Sequence, residues 1–265
     1  EGTQISLHKG KLSLNKIDTI LITHCHADHV TGLPGLLLTI GNHGRTEPLN
    51  IIAPRGSTKI LNSLLVVCGF LPYEVRIAEL HDTKPQEFNQ IGLKITSIPL
   101  KHHINCLGYS LELNLRPHFR PETAKELNIP VKLWRLLHNG EDVVVDNKTI
   151  TPNMVLGNPR SPIKISYVTD TRPVKLIDEI VKNSDLFICE GMYGDDEQLS
   201  GAVEKMHMIF SEAAKIALNS NVKELWLTHF SPSMPSPGDY LEAAASIFQN
   251  TVIGRDLMSK TLKSK

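Results

Sequence analysis

Histidine and aspartate are crowded into one short stretch of the chain. The segment THCHADHV contains His24, His26, Asp28 and His29 within six positions, directly after the aliphatic run IDTILIT. Alternate side chains of an extended chain point to the same side, so His24 and His26 should face one way together. Imidazole nitrogens and a carboxylate at the end of a strand are the ligands that zinc and similar divalent metals prefer. A hydrogen-bonded polar turn would account for a single histidine, but this spacing predicts a metal site.

Other polar residues stand where later apolar runs stop. His102 follows ITSIPLK, Asp170 ends ISYVTD and His229 ends ELWLTH. Because ligands tend to bind where strands end at the open edge of a sheet, we expect these residues to join the first cluster. Together the seven residues suffice for two metal ions, with Asp170 between them. His103 is an alternative to His102 at its position.

The remaining pattern indicates the elements that would position these side chains. The β-branched and aliphatic runs IDTILIT and LNIIAP predict strands, whereas GLPGLLLTIG and GSTKILNSLLVVCGF predict helices. Strand and helix patterns alternate again from residue 164 onward, which predicts a layered α/β fold. Residues 115–162 contain recurrent prolines and no regular alternation. We therefore interpret this stretch as an insertion.

Composition narrows the class of protein. The 265 residues have a formal net charge of zero and a hydrophobic content of 41%, so the chain can bury a sizeable core, and any binding of nucleic acid would come from local patches. The four cysteines are scattered and form no C-x-x-C pair, which is typical of a reducing compartment and favours a cytoplasmic location. The apolar runs are too short to span a bilayer, so we expect no membrane partner.

Several motifs taken together resemble one known family. THCHADHVTGLPGLL, HHINCLGY, TDTRP, ICEGMY, MHMIFSEAAKIA and LTHFS are similar to motifs of the ribonuclease Z family, within the metallo-β-lactamase superfamily. The resemblance implies an α/β fold, a four-layer αββα sandwich, in a single domain over residues 1–265. It also implies that the inserted arm, residues 115–162, binds tRNA. In the family, a glycine-rich segment and the first strands precede the point where this sequence begins, so we expect the chain alone to lack those strands and to be unstable or poorly active.

The resemblance also assigns roles to the candidate site residues. It implies two Zn²⁺ ions per subunit, although the ligands would also suit Mn²⁺ or Fe²⁺. The implied ligands of one ion are His24, His26 and His102; those of the other are Asp28, His29 and His229, with Asp170 shared by both. Asp28 would in addition orient the attacking water and accept its proton. Glu190 and His207 would form a pair that steadies the scissile phosphate or protonates the leaving oxygen.

The implied activity is that of an endoribonuclease that removes the 3′ trailer from precursor tRNA and leaves a 3′-hydroxyl. The family also implies a homodimer, across which the arm grips the tRNA. Residues 116–138 contain five basic and two acidic side chains, and such an excess of Lys and Arg could bind phosphates independently of sequence. The candidate substrate-binding residues are Arg116, Arg120, Lys132, Arg135 and, in the motif TDTRP, Arg172.

Some features leave alternatives open. Arg172 could equally form a structural salt bridge, and the basic part of the arm could be a solvated amphipathic hairpin. The arm has VKLWRLLHNG in place of the family's Gly-Pro-rich turn, and PSMPSPGDY follows His229 where the family has an Arg and a Tyr. A phosphodiesterase or esterase for a small substrate and a non-catalytic RNA-binding relative are the competing hypotheses.

Overall fold

The computed structural model describes residues 2–263 of the chain. The described chain divides into two compact units. The first unit runs up to Glu112 and resumes from Lys164 to Thr261, and the second comprises Leu113–Ile163 with Leu262 and Lys263. Each unit contains buried hydrophobic residues that pack into a core of its own. None of the helices in this part of the chain is long and apolar enough to cross a membrane.

Two sheets form the centre of the first unit, as far as the described residues show. The smaller sheet has three parallel strands in the order β1 (Thr19–Leu21), β2 (Leu49–Pro54) and β3 (Val75–Leu80). Along the chain, the larger sheet contains β4 (Gln86–Gln90), β5 (Leu93–Pro99), β6 (Leu107–Leu113), β9 (Ile163–Val168), β10 (Leu186–Glu190), β11 (Leu225–Thr228) and β12 (Thr251–Ile253). Its spatial order is β12-β11-β10-β9-β6-β5-β4, in which β9 to β12 are parallel and β4 to β6 form an antiparallel meander.

Helices of the first unit follow most of these strands. They are α1 (Thr3–Lys9), α2 (Ala27–Val30), α3 (Leu33–Asn42), α4 (Ser57–Leu65), α7 (Lys175–Val181), α8 (Leu199–Glu204), α9 (Phe210–Asn219) and α10 (Leu241–Ile247). Pro34 lies in the first turn of α3, where its fixed φ and missing N–H are tolerated. The helix predictions over residues 32–41 and 56–70 are thus confirmed, the second ending in a 3₁₀ turn at Val66–Cys68.

The packing places the two sheets between two layers of helices. Buried residues of α3 and α4 pack on the smaller sheet, and those of α7, α9 and α10 pack on the larger one. Leu21 and Leu80 of the smaller sheet pack against Ile95, Leu107 and Tyr109 of the larger sheet, so the sheets face each other. This helix–sheet–sheet–helix order confirms the predicted four-layer αββα sandwich.

The pattern of apolar residues explains why α9 is a helix of this core. Phe210, Ala213, Ala214 and Ala217 are spaced at i, i+3, i+4 and i+7 and are all fully buried, which is the spacing of one helical face. Burying the Phe210 side chain alone contributes about 1.5–3 kcal/mol relative to leaving it in water. This buried face therefore anchors α9 in the core of the first unit.

The second unit is built from short helices and one hairpin. Its elements are α5 (Pro121–Glu126), α6 (Val131–His138) and the antiparallel pair β7 (Val143–Val145) and β8 (Lys148–Ile150). Trp134 packs against Phe119 with ring centroids 5.3 Å apart and donates a hydrogen bond to the Ile129 carbonyl. The buried core residues are Ala124, Ile129, Leu137, Val143, Ile150 and Val155. The segment therefore folds around an apolar core and leaves its cations exposed, as the amphipathic alternative predicts.

Candidate metal centre and active site

Strand ends bring the predicted ligands together in the first unit. His24 and His26 follow β1, His102 follows β5, Asp170 follows β9 and His229 follows β11 directly. Asp28 and His29 lie in the single turn of α2. Potential ligand atoms lie within 4.8 Å of one another in a first group of His24, His26, His102 and Asp170 and in a second group of Asp28, His29 and His229. A further set of Asp170, His207 and His229 overlaps both groups.

The first group is compact. Nε2 of His24 and Nε2 of His102 lie 3.1 Å and 3.2 Å from Nδ1 of His26. Oδ2 of Asp170 lies 3.6 Å from Nε2 of His24 and 3.8 Å from Nε2 of His102. Metal–nitrogen bonds of about 2.0–2.1 Å in a tetrahedron require ligand atoms roughly 3.3–3.4 Å apart. The four atoms are thus spaced as the ligands of one metal ion would be.

The second group meets the other oxygen of the same aspartate. Oδ1 of Asp170 lies 3.6 Å from Nε2 of His29 and 3.3 Å from Nε2 of His229. Oδ2 of Asp28 lies 3.2 Å from Nε2 of His29 and 3.9 Å from Nε2 of His229. Asp170 therefore presents one carboxylate oxygen to each group, which is the geometry expected of a bridging ligand.

The burial of these groups favours a bound cation. His24 is fully buried and the Asp170 side chain is only 4% exposed, whereas the carboxylate of Asp28 opens to solvent. Nε2 of His29 is buried and makes no hydrogen bond among the described residues, although two carboxylate oxygens face it. A buried polar atom without a hydrogen bond is costly, and a metal ion between these groups would satisfy it. The residues present therefore fit a metal site.

The electrostatics keep the imidazoles of His24, His102 and His229 in the form that binds metal, whereas Asp170 outweighs burial and raises the pKa of His29. Burial lowers the pKa of His24 to about 3 and that of His102 to about 4. Burial likewise lowers the pKa of His229. Burial alone would raise the pKa of Asp170, but the adjacent imidazole of His29 and the charge of His229 hold that pKa well below its usual value. Neutral imidazole and ionised carboxylate are the metal-binding forms, so these three imidazoles and Asp170 are in that form at neutral pH.

Outer partners orient the ring nitrogens that face away from the site. Nδ1 of His24 lies 3.1 Å from the Thr23 hydroxyl, and Nδ1 of His102 lies 3.3 Å from the Met206 carbonyl. Thr169 donates a 2.6 Å hydrogen bond to Oδ1 of Asp170. Such partners fix the tautomer and the orientation of metal ligands. The sequence did not reveal them, because a backbone carbonyl carries no residue signature and Met206 lies far along the chain from His102.

Two of the predicted ligands have a backbone conformation in the left-handed region. The φ angles of Asp170 and His229 are 51° and 56°, a region that non-glycine residues occupy at a cost of about 1–3 kcal/mol. Asp170 lies two positions after the end of β9, and His229 comes directly after β11. Backbone outliers that the surrounding structure holds in place are concentrated at functional sites, and here they occur at two of the predicted ligands.

Glu190 and His207 form the predicted pair beside the cluster. Oε2 of Glu190 lies 2.9 Å from Nδ1 of His207, and Oε1 accepts a hydrogen bond from the Thr171 N–H. Burial raises the pKa of Glu190 to about 7. Burial opposes protonation of His207, but the adjacent Glu190 outweighs it and raises the pKa of His207. The His207 ring lies 5.4 Å from that of His102 and 5.7 Å from that of His229, between centroids, so the pair adjoins both groups.

The structure decides between two alternatives left open by the sequence. His103 is exposed whereas His102 belongs to the first group, so His102 is the residue of that pair in the cluster. Arg172 forms a bidentate salt bridge with Glu212, in which Nη1 and Oε2 are 2.9 Å apart. Arg172 therefore forms the structural salt bridge that was one of its two predicted roles. Its partner Glu212 was not indicated by the sequence pattern.

The remaining candidate residues lie in the second unit. Arg116 donates to the side-chain oxygen of Asn139, and Arg120 donates to the Met154 carbonyl at 3.4 Å. The side chains of four candidate phosphate-binding residues are exposed; these are Arg116, Arg120, Lys132 and Arg135. Their role in substrate binding stays a prediction.

Comparison with known proteins agrees with this fold. The model of the "Beta-lactamase superfamily domain" matches residues 4–119. The solved structure of human tRNase Z, short form, is similar with a TM-score of 0.66 at 23% identity and covers 97% of this chain and 84% of its own. The chain therefore has the metallo-β-lactamase fold.

Proteins of similar sequence identify the family to which the chain belongs. Ribonuclease Z of Clostridium acetobutylicum is 47% identical to this chain, over 99% of the chain and 86% of the relative. Ribonuclease Z of Clostridium kluyveri is 48% identical, over 100% of the chain and 88% of the relative. The chain belongs to the ribonuclease Z family.

Proposed function

We propose that this chain is a metal-dependent endoribonuclease that cuts the 3′ trailer from precursor tRNA and leaves a 3′-hydroxyl on the tRNA. The observation that carries the proposal is the convergence of all seven predicted ligands with the Glu190–His207 pair in the first unit. The identity of 47–48% to proteins named ribonuclease Z supports the choice of substrate.

We propose that the two groups of ligands hold two Zn²⁺ ions, with Asp170 between them. Nitrogen and carboxylate donors suit zinc, and they also suit Mn²⁺ or Fe²⁺. When bound, such ions lower the pKa of a water molecule and neutralise charge on the phosphodiester. The protein supplies the spacing, since each oxygen of the Asp170 carboxylate faces one group.

Two carboxylates have different tasks in this proposal. Asp28 is the exposed member of the cluster, with 68% of its side chain accessible, so its carboxylate can orient the attacking water and accept its proton. Asp170 is buried and keeps the two groups at a fixed separation. In-line attack on phosphorus then expels the 3′ oxygen of the upstream nucleotide.

His207 is placed to act on the phosphate or on the leaving oxygen. Its Nδ1 donates to Glu190, which leaves Nε2 directed to other partners. Because Glu190 raises the pKa of His207, the imidazole carries its proton more readily at neutral pH than a free histidine does. A protonated Nε2 can steady the scissile phosphate or protonate the leaving 3′ oxygen.

We propose that the second unit grips the body of the tRNA. Its exposed cations can bind phosphates without reading the sequence, whereas its aromatic side chains are used in its own core, as Trp134 packs on Phe119. The grip would therefore be electrostatic. The proteins named ribonuclease Z that resemble this chain support the assignment of the partner as precursor tRNA.

We propose a homodimer in the cytoplasm. Val66, Val67 and Phe70 are 77%, 73% and 85% exposed, and an apolar cluster of this kind marks a surface that contacts another protein. A second copy of the chain is the proposed occupant. Multi-angle light scattering should show a dimer for the wild type and a monomer for Phe70→Lys; dimers of both would refute this surface.

The proposed activity is tested by cleavage of a 3′-extended precursor tRNA with the zinc-loaded protein. We expect one cut near the end of the acceptor stem, which Asp28→Ala abolishes and which the exposed control variant Asp196→Ala retains. Bis(p-nitrophenyl) phosphate serves as a generic diester. Hydrolysis of this diester with the precursor left intact would instead support an enzyme for a small substrate.

A further inference from the structure

Arg172 is held between two segments of the first unit rather than directed to solvent. Its guanidinium makes two parallel contacts with the Glu212 carboxylate, and Nη1 also donates a 2.5 Å hydrogen bond to the carbonyl of His207. The side chains of Arg172 and Glu212 are only 13% and 17% exposed. A charged pair that is largely shielded from water and makes several hydrogen bonds holds its two side chains in one fixed geometry.

Glu212 holds the same segment from the other side. It lies in the first turn of α9, and its Oε2 accepts a 3.2 Å hydrogen bond from the Ile209 N–H. The pair thus contacts the carbonyl of His207 and the N–H of Ile209, two positions apart. These contacts fix the backbone on which the His207 side chain stands.

The same segment also supports a predicted metal ligand. The carbonyl of Met206 accepts from Nδ1 of His102, and Met206 itself has a left-handed φ of 59°. The backbone N–H of Arg172 donates to the Lys101 carbonyl at 3.0 Å, beside His102. Arg172 therefore connects the segment that carries His102 with the segment that carries His207.

We propose that Arg172 and Glu212 form a positioning pair that fixes residues 206–209, so that the His207 imidazole and the Met206 carbonyl face the metal centre correctly. The inference rests on the proposed function for the role of His207, and it assigns Arg172 to the support of that residue rather than to a phosphate. A guanidinium suits this role, because its donors form a planar fork that meets both carboxylate oxygens and a carbonyl in fixed directions.

A mutant cycle with His207 tests the proposal. Arg172→Lys should lower kcat on precursor tRNA by about 10- to 100-fold with little change in KM, since misplacing a reacting group by an ångström has an effect of this size. In a His207→Ala background, the same substitution should lower kcat no further. The control Arg76→Lys alters an exposed pair with Glu74 and should change neither constant.

Other results of the cycle would overturn the proposal. An increase in KM with unchanged kcat would show that Arg172 contacts the substrate. Equal losses of kcat with and without His207 would show a general structural effect. Because the wild type is measured in the same series, absence of any cleavage by the wild type would refute the proposed function rather than the pair.

Two measurements that do not depend on catalytic activity test the Arg172–Glu212 pair directly. In the metal-free protein, hydrogen exchange of the segment containing the Ile209 amide should be faster in Arg172→Lys and Glu212→Gln than in the wild type. Zinc affinity, measured by competition with a chelator, should fall about tenfold, as it does when partners of metal ligands are lost. Unchanged exchange and unchanged affinity would refute the proposal even if the protein proved inactive on RNA.

Discussion

The metal cluster of the first unit and the basic surface of the second unit use charge in opposite ways. The cluster gathers residues from distant parts of the chain and shields most of them, with His24 fully buried and Asp170 nearly so. The second unit is formed almost entirely by one continuous segment, and its cations are exposed. Shielded charges interact strongly and at short range, whereas exposed charges are screened by salt. A single substitution in the cluster should therefore remove most of the activity, whereas each substitution of a cation in the second unit should remove only part of the RNA affinity.

Replacing the shared aspartate should have the largest effect. Asp170→Asn removes the charge that faces both ligand groups, so we expect loss of metal and a fall in kcat/KM of about 10³-fold or more, as several kcal/mol of transition-state stabilisation disappear. Precursor tRNA and bis(p-nitrophenyl) phosphate should be affected alike. Metal content by mass spectrometry and the kinetics of both substrates measure this.

The matched control for that variant is Asp142→Asn, an exposed aspartate of the second unit. It should retain full metal content and activity. If Asp170→Asn kept its metal and its rate on either substrate, the cluster would not act as a whole and the contrast between the two regions would be lost.

Replacing the exposed cations should have an intermediate effect that depends on salt. With Arg116, Arg120, Lys132 and Arg135 changed to Gln, we expect KM for precursor tRNA to rise about 10- to 100-fold at low salt and its dependence on salt to become shallower. Turnover of bis(p-nitrophenyl) phosphate should not change. Each single substitution should produce only part of the rise.

The control for this variant replaces Lys59 and Lys84, two exposed lysines of the first unit, by Gln. Kinetics over a series of KCl concentrations distinguish the two sets. Equal changes in both sets would mean that total charge, rather than the second unit, attracts the RNA.

The smallest effect concerns the stability of the metal-free protein. The pKa of His24 is about 3 in the folded protein, against about 6.5 in an unfolded chain. Below pH 6.5, His24 is protonated in the unfolded chain but stays neutral in the folded protein. This residue therefore lowers the free energy of unfolding as the pH falls toward 3. The pKa values of His29 and His207 are raised, and they act in the opposite direction, so a comparison of variants isolates His24.

His24→Asn should therefore become more stable relative to the wild type at pH 5 than at pH 7, as measured by urea unfolding of both metal-free proteins. The control His118→Asn, an exposed histidine of the second unit, should show no such shift. A constant difference between His24→Asn and the wild type at both pH values would refute the role of burial.

The two regions also differ in how well the sequence predicted them. The cluster was readable because its chemistry lies in side chains with a tight spacing, His24 to His29, and in residues that end apolar runs. The Met206 carbonyl and the Glu212 carboxylate could not be predicted, because the first is a backbone atom and the second is 40 positions from Arg172. Only folding brings them to their partners.

In the second unit, the sequence indicated an insertion and its charges but not its core. Recurrent prolines suggested irregular structure, whereas Pro121 stands at the start of α5, a position where proline favours a helix. The burial of Leu137 and Val143 depends on contacts across the whole segment, which short runs of apolar residues do not specify. The helices of the first unit were predictable because their apolar spacing is regular over ten residues, as in α3 and α9.

The strands that flank the insertion are neighbours in the larger sheet. β6 ends at Leu113, β9 begins at Ile163, and the two lie side by side in the strand order. A chain that leaves and re-enters a scaffold at adjacent points can be lengthened, shortened or exchanged with little strain on the scaffold, since closing a loop costs little more as it grows. Evolution, or a protein engineer, could thus exchange the insertion and leave the ligand cluster of the first unit untouched.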